Sequence, residues 1–331
     1  MPIIGDRQKL LALVKDILKQ ADFSISVECR VKSSCFDIAA RKGSLLALIK
    51  VLINIDALSA NHARELKYIS YLLSASPLLI GERAGKEPME EGVVYERYGI
   101  PAINPFTLYN ILIRSLLPVI YAKRGGFFVK LNTEKIRACR EKKGYSLGVL
   151  ADLVGVSRKS IYEYERGEMD ASLETALRLE EVLEEDITLP IDVFSWNITD
   201  VTIEDVEFSY IKDILKEKVF RLFQSLGFKT FPTRCAPFDA ITEAPTQEEA
   251  IFLTGVGYAD DRTILRRIRI VKSVSKVVQK DAVFIIEGKK VSNSIEGVPI
   301  LRTNELKRME DPEDLINIIS RRCKYEEFNH S

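Results

Sequence analysis

Between Thr133 and Leu183 apolar residues recur at intervals of three and four, and the run is interrupted at Gly144, Gly155 and Gly167. This pattern predicts four short helices packed with tight breaks. The first spans Thr133 to Lys143 and stops at Gly144. The second starts behind Ser146, a good N-cap, and carries Leu147, Leu150, Ala151 and Val154 on one face. Gly155 suits a left-handed stop. The third starts behind Ser157 and ends at Gly167. The fourth starts at Ser172, with Leu173, Ala176, Leu177, Leu179 and Leu183 predicted inside and Glu174 and Glu180 outside.

The flanks alternate strand-like and helix-like patterns. The first flank reads as a helix near Lys9 to Lys19, a strand near Phe23 to Val27, and a strand holding Phe36-Asp37-Ile38-Ala39. A buried strand at Leu45 to Ile53, a helix at Asn61 to Ser74 and a strand at Leu78 to Glu82 follow. Gly99-Ile100-Pro101 then leads into a helix at Thr107 to Leu117. The second flank runs the same course: a helix at Ile211 to Ser225, a strand near Phe228 to Phe231, and Phe238-Asp239-Ala240-Ile241. A strand at Glu249 to Val256, a helix at Asp261 to Gln279, a strand at Ala282 to Glu287, and Gly297-Val298-Pro299 before Thr303 to Arg308 complete it. The Phe-Asp pair and the Gly-(Ile/Val)-Pro turn recur in the same order, which predicts two diverged copies of one α/β module.

In the centre, Leu150-Ala151, Gly155-Val156-Ser157, Ile161, Glu165-Arg166-Gly167 and Ser172-Leu173-Glu174-Thr175 are similar to the Cro/C1-type helix-turn-helix family. The whole chain resembles archaeal HTH-type transcriptional regulators. The family resemblance implies that the helix beginning at Ser157 enters a DNA major groove. The implied DNA-binding residues are Ser146, Ser157, Arg158, Lys159, Ser160 and Tyr162. Arg158 or Lys159 is suited to a guanine edge, Ser157 and Ser160 to capping and to phosphate, and Tyr162 to phosphate or sugar. Ile161 is expected in the core. Glu165 and Arg166 are expected to pair inside the module. The family's usual Ser-Gln start of the second helix is here Ser146-Leu147-Gly148. That removes a phosphate contact and shifts weight to Arg140, Lys142 and Lys143, or to Lys123-Arg124-Gly125-Gly126 and Lys130.

The flanking modules resemble the restriction-endonuclease-like core. There an acidic residue on one strand and Glu-x-Lys on the next hold a divalent metal. The pattern carries over to Asp37 and Lys50, but the intervening acidic position is Leu48. In the second copy Asp239 is kept, and the matching spacing lands on Phe252, while Glu248 and Glu249 restore no Glu-x-Lys. A lone carboxylate is a poor site for a cation that takes several oxygens, so both copies are expected to be inactive.

Lys plus Arg equals Asp plus Glu at 48 each, so net charge neither supports nor excludes a polyanionic partner. Locally, Thr133 to Lys159 holds seven basic and three acidic residues, and Ser160 to Asp186 holds two basic and ten acidic. The basic half includes the start of the third helix, as a phosphate-facing surface requires, although solvated helix faces read the same way. Arg262, Arg266, Arg267, Arg269, Lys272, Lys276 and Lys280 mark a second basic helix, equally readable as a nucleic-acid contact or as a solvated face. The five cysteines are scattered without framework spacing, which argues for a reducing compartment. With two histidines a His-rich metal site is excluded. The N-terminal run carries charges and reads as an amphipathic helix rather than a signal peptide, and no apolar run reaches membrane-spanning length. No glycine-rich phosphate loop occurs, so no cofactor is expected.

The expected fold is therefore an α/β (α+β) multidomain chain with an all-α Cro/C1-type helix-turn-helix domain between two restriction-endonuclease-like α/β modules. Expected bounds are 1–122 for the first module, 132–186 for the helix-turn-helix, 187–209 for a linker and 210–325 for the second module. The expected activity is that of a cytoplasmic, non-enzymatic transcriptional regulator that binds double-stranded DNA as a homodimer, away from membranes. A small-molecule effector is left open. The alternatives are a metal-dependent nuclease targeted by the helix-turn-helix and a protein-interaction module.

Overall fold

The computed structural model describes residues 5–31, 34–198, 201, 211–245, 250–288 and 291–324. The chain opens with α1 (Arg7–Gln20), started by Asp6, whose carboxylate accepts from the amides of Gln8 and Lys9. Its Leu10, Leu11, Val14, Ile17 and Leu18 are buried at helical spacing. Then come β1 (Ser24–Ile25), β2 (Ile38–Lys42), β3 (Leu45–Asn54), α2 (Ala60–Leu72), β4 (Ser76–Ala84), β5 (Glu87–Pro88), β6 (Val93–Arg97), β7 (Ile100–Ile103) and α3 (Pro105–Arg114). Asn104 caps α3, and Pro105 takes its first position, where no amide is needed.

A hairpin, β8 (Ile120–Lys123) and β9 (Gly126–Val129), precedes α4 (Thr133–Lys142), α5 (Leu147–Val154), α6 (Arg158–Arg166), β10 (Ala171–Ser172) and α7 (Leu173–Leu183). The chain continues with α8 (Ile214–Ser225), β11 (Lys229–Pro232), β12 (Ala240–Glu243), β13 (Ile251–Tyr258), α9 (Ile264–Val278) and β14 (Asp281–Glu287). It ends with β15 (Ser294–Ile295), β16 (Val298–Arg302), α10 (Thr303–Leu306) and α11 (Pro312–Lys324). The architecture is mixed α/β, with a helix-turn-helix of four helices and the two-residue β10 between two α/β modules that share one order of elements: helix, three strands, helix, parallel strands, helix.

The described residues group into two units that interleave along the chain. One holds the chain up to Ala21, Val51–Leu58 and Leu78–Asn197; the other holds Asp22–Lys50, Ser59–Pro77 and the chain from Ile198 on. In the first unit the strands run β4-β7-β6-β8-β9-β10, with β5 also on β4. β4 and β7 are parallel, Leu79 opposite Ala102. β6 and β8 are parallel, Val93 opposite Ile120. β9 then pairs antiparallel with β10, Val129 opposite Ala171. The helices around β10 share a core with that sheet: Val129 and Leu131 are buried with Ile136, Leu150, Ile161 and Leu179.

The stretch after Leu183 also returns to this unit. The Asn132 amide donates to Ile187 O, the Leu189 amide to Lys130 O and the Ile191 amide to Pro118 O. Residues 199–200 and 202–209 of the expected linker lie outside the described residues.

In the second unit β1, β2 and β3 are antiparallel, Ile38 opposite Ile49. A second sheet runs β11-β12-β13-β14-β16-β15. β13, β14 and β16 are parallel, Phe252 opposite Asp281 and Phe284 opposite Ile300. Phe220, Phe223 and Phe228 pack against Phe252, Val283 and Leu301 beneath it. α9 lies within this unit: Arg41 donates to the Val277 and Val278 carbonyls, and Ser273 Oγ accepts from the Val27 amide.

One expectation about the fourth helix is corrected. Leu177 is 57% exposed, because the buried face of α7 is the narrower stripe of Ala176, Leu179 and Leu183.

Candidate nucleic-acid interface

The turn between α5 and α6 is built by local chemistry. Gly155 takes φ +77°, a left-handed conformation costly to a residue with a Cβ. Its amide and that of Val156 both donate to Ala151 O, closing α5. Ser157 then starts α6 by accepting from the Ser160 amide at 3.0 Å. Ile161 and Tyr164 point into the core, at 0% and 5% exposure. The opposite face, with Arg158, Lys159 and Tyr162, is open to solvent.

The expected site residues fall on this surface as follows. Ser146 caps α5, accepting from the Val149 amide at 3.2 Å. Ser157 and Ser160 share a hydroxyl–hydroxyl bond of 2.9 Å. Tyr162 is held by Arg166, which donates to its hydroxyl at 3.0 Å and stands over its ring. Lys159 leans toward Glu163 at 3.4 Å, but its side chain is 81% exposed, so that pair is weak and easily released.

The charge polarity seen in the sequence is partly spent inside the fold. Lys135 pairs with Glu185, Lys143 with Glu184, and both Arg137 and Arg140 with Glu165. Among the described residues Arg158 and Lys142 keep no ion pair. Arg140 is therefore a structural cation rather than a surface one. It binds Glu165 at 2.5 Å and the Tyr145 carbonyl at 3.0 Å, and Glu165 holds its guanidinium above its usual pKa. Glu165 and Arg166 do pair inside the module, but with other partners: Arg166 holds Glu168 at 2.6 Å.

The basic segment before α4 is the tip of the β8–β9 hairpin, where Lys123, Arg124, Gly125 and Gly126 are exposed. Gly125 and Gly126 have φ +107° and +134°, which explains the glycine pair. Sequence reasoning noted its charge and missed its geometry, although a Gly-Gly pair between Tyr121-Ala122 and Phe127-Phe128 is a hairpin signal.

In the second unit the nuclease-like acids occupy matching places. The Asp37 amide donates to Ile49 O and the Asp239 amide to Thr254 O, both at 2.8 Å. Ile38 pairs with Ile49 and Ala240 with Thr254, so the counterpart of Lys50 is Gly255. The match to Phe252 by spacing is thus replaced by strand register, because the second copy has a longer connection. A Cβ at Gly255 would overlap the Phe284 ring, so no lysine fits there. Its charge is supplied from elsewhere: Arg267 of α9 and Lys216 of α8 both bind the Asp239 carboxylate, Lys216 at 2.7 Å. Glu248 and Glu249 lie outside the described residues.

The long basic helix is occupied in part too, at three of its seven cations. Besides Arg267, Arg269 pairs with Glu296 and Lys272 donates to the Glu296 carbonyl. Among the described residues no group of three or more His, Cys, Asp or Glu is placed to hold a metal, and no helix is long and apolar enough to cross a membrane.

Known proteins agree with this arrangement. Residues 7–118 match the PD-(D/E)XK superfamily domain, and residues 136–189 match the helix-turn-helix family. The chain is 39% identical over 314 residues to a Pyrococcus horikoshii protein named "Putative HTH-type transcriptional regulatory protein", covering 95% of this chain and 98% of that one. Proteins of the same name in Thermococcus gammatolerans and Archaeoglobus fulgidus are 37% identical over 314 residues and 34% over 310, covering 95% and 94% of this chain and 96% of each of theirs. The chain belongs to this archaeal family of HTH-type transcriptional regulators.

In this regulator the residues of the nuclease-like modules do not fit the divalent metal that their fold implies. The acidic position beside Lys50 is Leu48, fully buried, and its counterpart Leu253 is apolar and buried as well. The carboxylate oxygens needed by a cation are turned to ammonium and guanidinium groups instead. The donor set is one carboxylate per module, already bound by cations of the chain, and no hydrolytic step follows from it.

Proposed function

We propose that this HTH-type regulator binds double-stranded DNA sequence-specifically and places α6 in the major groove. The observation that supports this most is the open basic start of α6. Arg158 and Lys159 project from a helix whose orientation is fixed by two serine caps, a left-handed glycine and a buried Ile161. In this reading Arg158 or Lys159 bonds a guanine edge. Ser157, Ser160 and Ser146 meet phosphate or base near helix N-termini, where amides favour anions. Tyr162 meets phosphate or sugar. One such helix spans only a few base pairs, so the working species is a homodimer.

In the same reading the module bounds are 1–122, 132–186 and 210–325, with 187–209 between the last two. The α/β modules serve architecture and dimerisation rather than catalysis, and the protein acts in the cytoplasm. The test is selection of duplexes from a random pool by the full chain, followed across a salt series. The expected result is an enriched palindrome with a steep salt slope. The double variant Arg158→Ala, Lys159→Ala is expected to lose enrichment while staying folded. Unchanged binding by that variant would remove α6 from the interface, and absence of binding at low salt would favour a protein-interaction module.

A further inference from the structure

Within the first unit a cavity of about 630 Å³ opens between the sheet and the segment that follows the helix-turn-helix. That volume is within the usual range for small-molecule sites. Its walls come from β6 and β8, the hairpin tip, the loop between α6 and β10, and the half-buried Trp196. Two chemistries meet in it. Tyr95, Tyr121 and Trp196 give it aromatic surface. Arg97, Lys123, Arg124 and Lys130 give it cationic surface.

Asp56, Glu96 and Asp170 also line it, three acids against four cations, so the positive charge is only partly answered. Asp56 lies 3.4 Å from Arg97 Nε, but the pair is not aligned as a hydrogen bond, and the shielded Nε has no acceptor. Asp170 is turned to the Tyr121 hydroxyl, which donates to it. Arg124 and Lys130 have no ion pair among the described residues. A guanidinium paired with one carboxylate and keeping an N–H without an acceptor, in a cavity with aromatic walls, is suited to a ring that carries an anionic group.

We propose that this cavity binds a small aromatic anion, a ring bearing a carboxylate or a phosphate. The ring lies against Tyr95, Tyr121 and Trp196, and the anion meets Arg97 and Arg124. The site has a direct route to α6. Asp170 stands in the loop that joins α6 to β10, and Tyr121 stands on β8, so an anion competing for Tyr121 releases the bond that ties that loop to the sheet. This link to DNA binding rests on the function proposed above, whereas occupancy of the cavity does not.

Trp196 is the chain's only tryptophan, so its fluorescence reports this site alone. The experiment titrates the full chain with AMP, with phenylacetate, and with adenosine as the uncharged control. The expected result is a saturable change with AMP or phenylacetate and none with adenosine. AMP alone identifies a phosphate ligand, and phenylacetate alone a carboxylate. Arg124→Ala, an exposed position, is expected to weaken the apparent affinity roughly tenfold or more, the loss of one charge-assisted contact. Arg97→Gln is expected to do the same, and if it does not fold, Arg124→Ala decides. No fluorescence change with either anion overturns the proposal. So does a change that persists undiminished in Arg124→Ala. Repeating the DNA titration with the active anion then reads the link to α6. A bound anion without effect on DNA would refute the coupling and leave the site standing.

Discussion

The ammonium of Lys50 lies 3.3 Å from Asp37 Oδ1 and 2.6 Å from the carbonyl of Ser34, with side-chain exposures of 13% for the lysine and 5% for the aspartate. The Asp37 and Lys50 of the nuclease-like pattern thus bind each other, without the acidic residue that Leu48 replaces. Removing one partner of a buried pair leaves the other charge uncompensated, at a cost of about 3–5 kcal/mol. Asp37→Ala is therefore expected to lower unfolding stability by roughly 3 kcal/mol in urea titration. A change within experimental error would mean that the pair does not support the fold.

The Arg140–Glu165 pair makes a similar demand on the helix-turn-helix. Glu165 has a side-chain exposure of 4%, and Arg140 of 12%. Glu165→Ala is expected to cost about 3 kcal/mol and to abolish DNA binding by unfolding the module. Arg158→Ala is expected to abolish or relax DNA binding with an unchanged melting temperature. Thermal melts on both variants separate the two roles, and equal melting temperatures would contradict the structural role of Glu165.

Gly148 lies in the first turn of α5, where a Cβ would meet only Ser146 Oγ, at 3.8 Å. Nothing in the packing requires glycine there. Gly148→Ala is expected to stabilise the chain by about 0.4–1 kcal/mol, visible as a higher melting temperature. A lower one would show that the first turn of α5 needs its present freedom. By contrast, Gly155→Ala is expected to destabilise, because φ is +77° and Arg178 Nη1 stands 3.2 Å from the new Cβ.

Burial pushes the Cys29 and Cys35 thiols well above the ordinary cysteine range, with the carboxylates of Asp37 and Glu65 respectively adding to it. Thiolate is the reactive form, so neither residue should be alkylated by iodoacetamide at neutral pH in the native chain. Both should react once the chain is unfolded in guanidinium. Peptide mapping by mass spectrometry checks this, and rapid native labelling of Cys35 would contradict its burial.

What was legible in the sequence was chemistry that acts over a few residues. Ser146, Ser157 and Ser172 each cap the helix they precede, and Gly144, Gly155 and Gly167 each take positive φ. Those features depend on spacing within one turn, which the sequence displays directly. What was not legible depends on partners far along the chain. The seven cations from Arg262 to Lys280, in and around α9, read in the sequence as one basic helix. Arg267 is spent on Asp239, however, and both Arg269 and Lys272 on Glu296, across separations that no local pattern encodes. The counterpart of Lys50 was misplaced for a related reason: spacing counts residues, whereas register counts hydrogen bonds, and a longer loop shifts the one without disturbing the other. The strand β10 is two residues long, too short for any alternating pattern, and exists because β9 offers an edge to pair with.

That short strand has a mechanical consequence. Through β10, β9 and β8 the loop that follows α6 is laced into the strands of the α/β module, and Leu189 and Ile191 bond back onto the same region. A reading head on a string tolerates target half-sites at many separations, because the string takes up the slack. A head stitched into a sheet does not. In the homodimer proposed above, with the α/β body as its seam, the pitch between two α6 helices is fixed by that body, and a target lengthened by half a turn of DNA would present its second half on the wrong face.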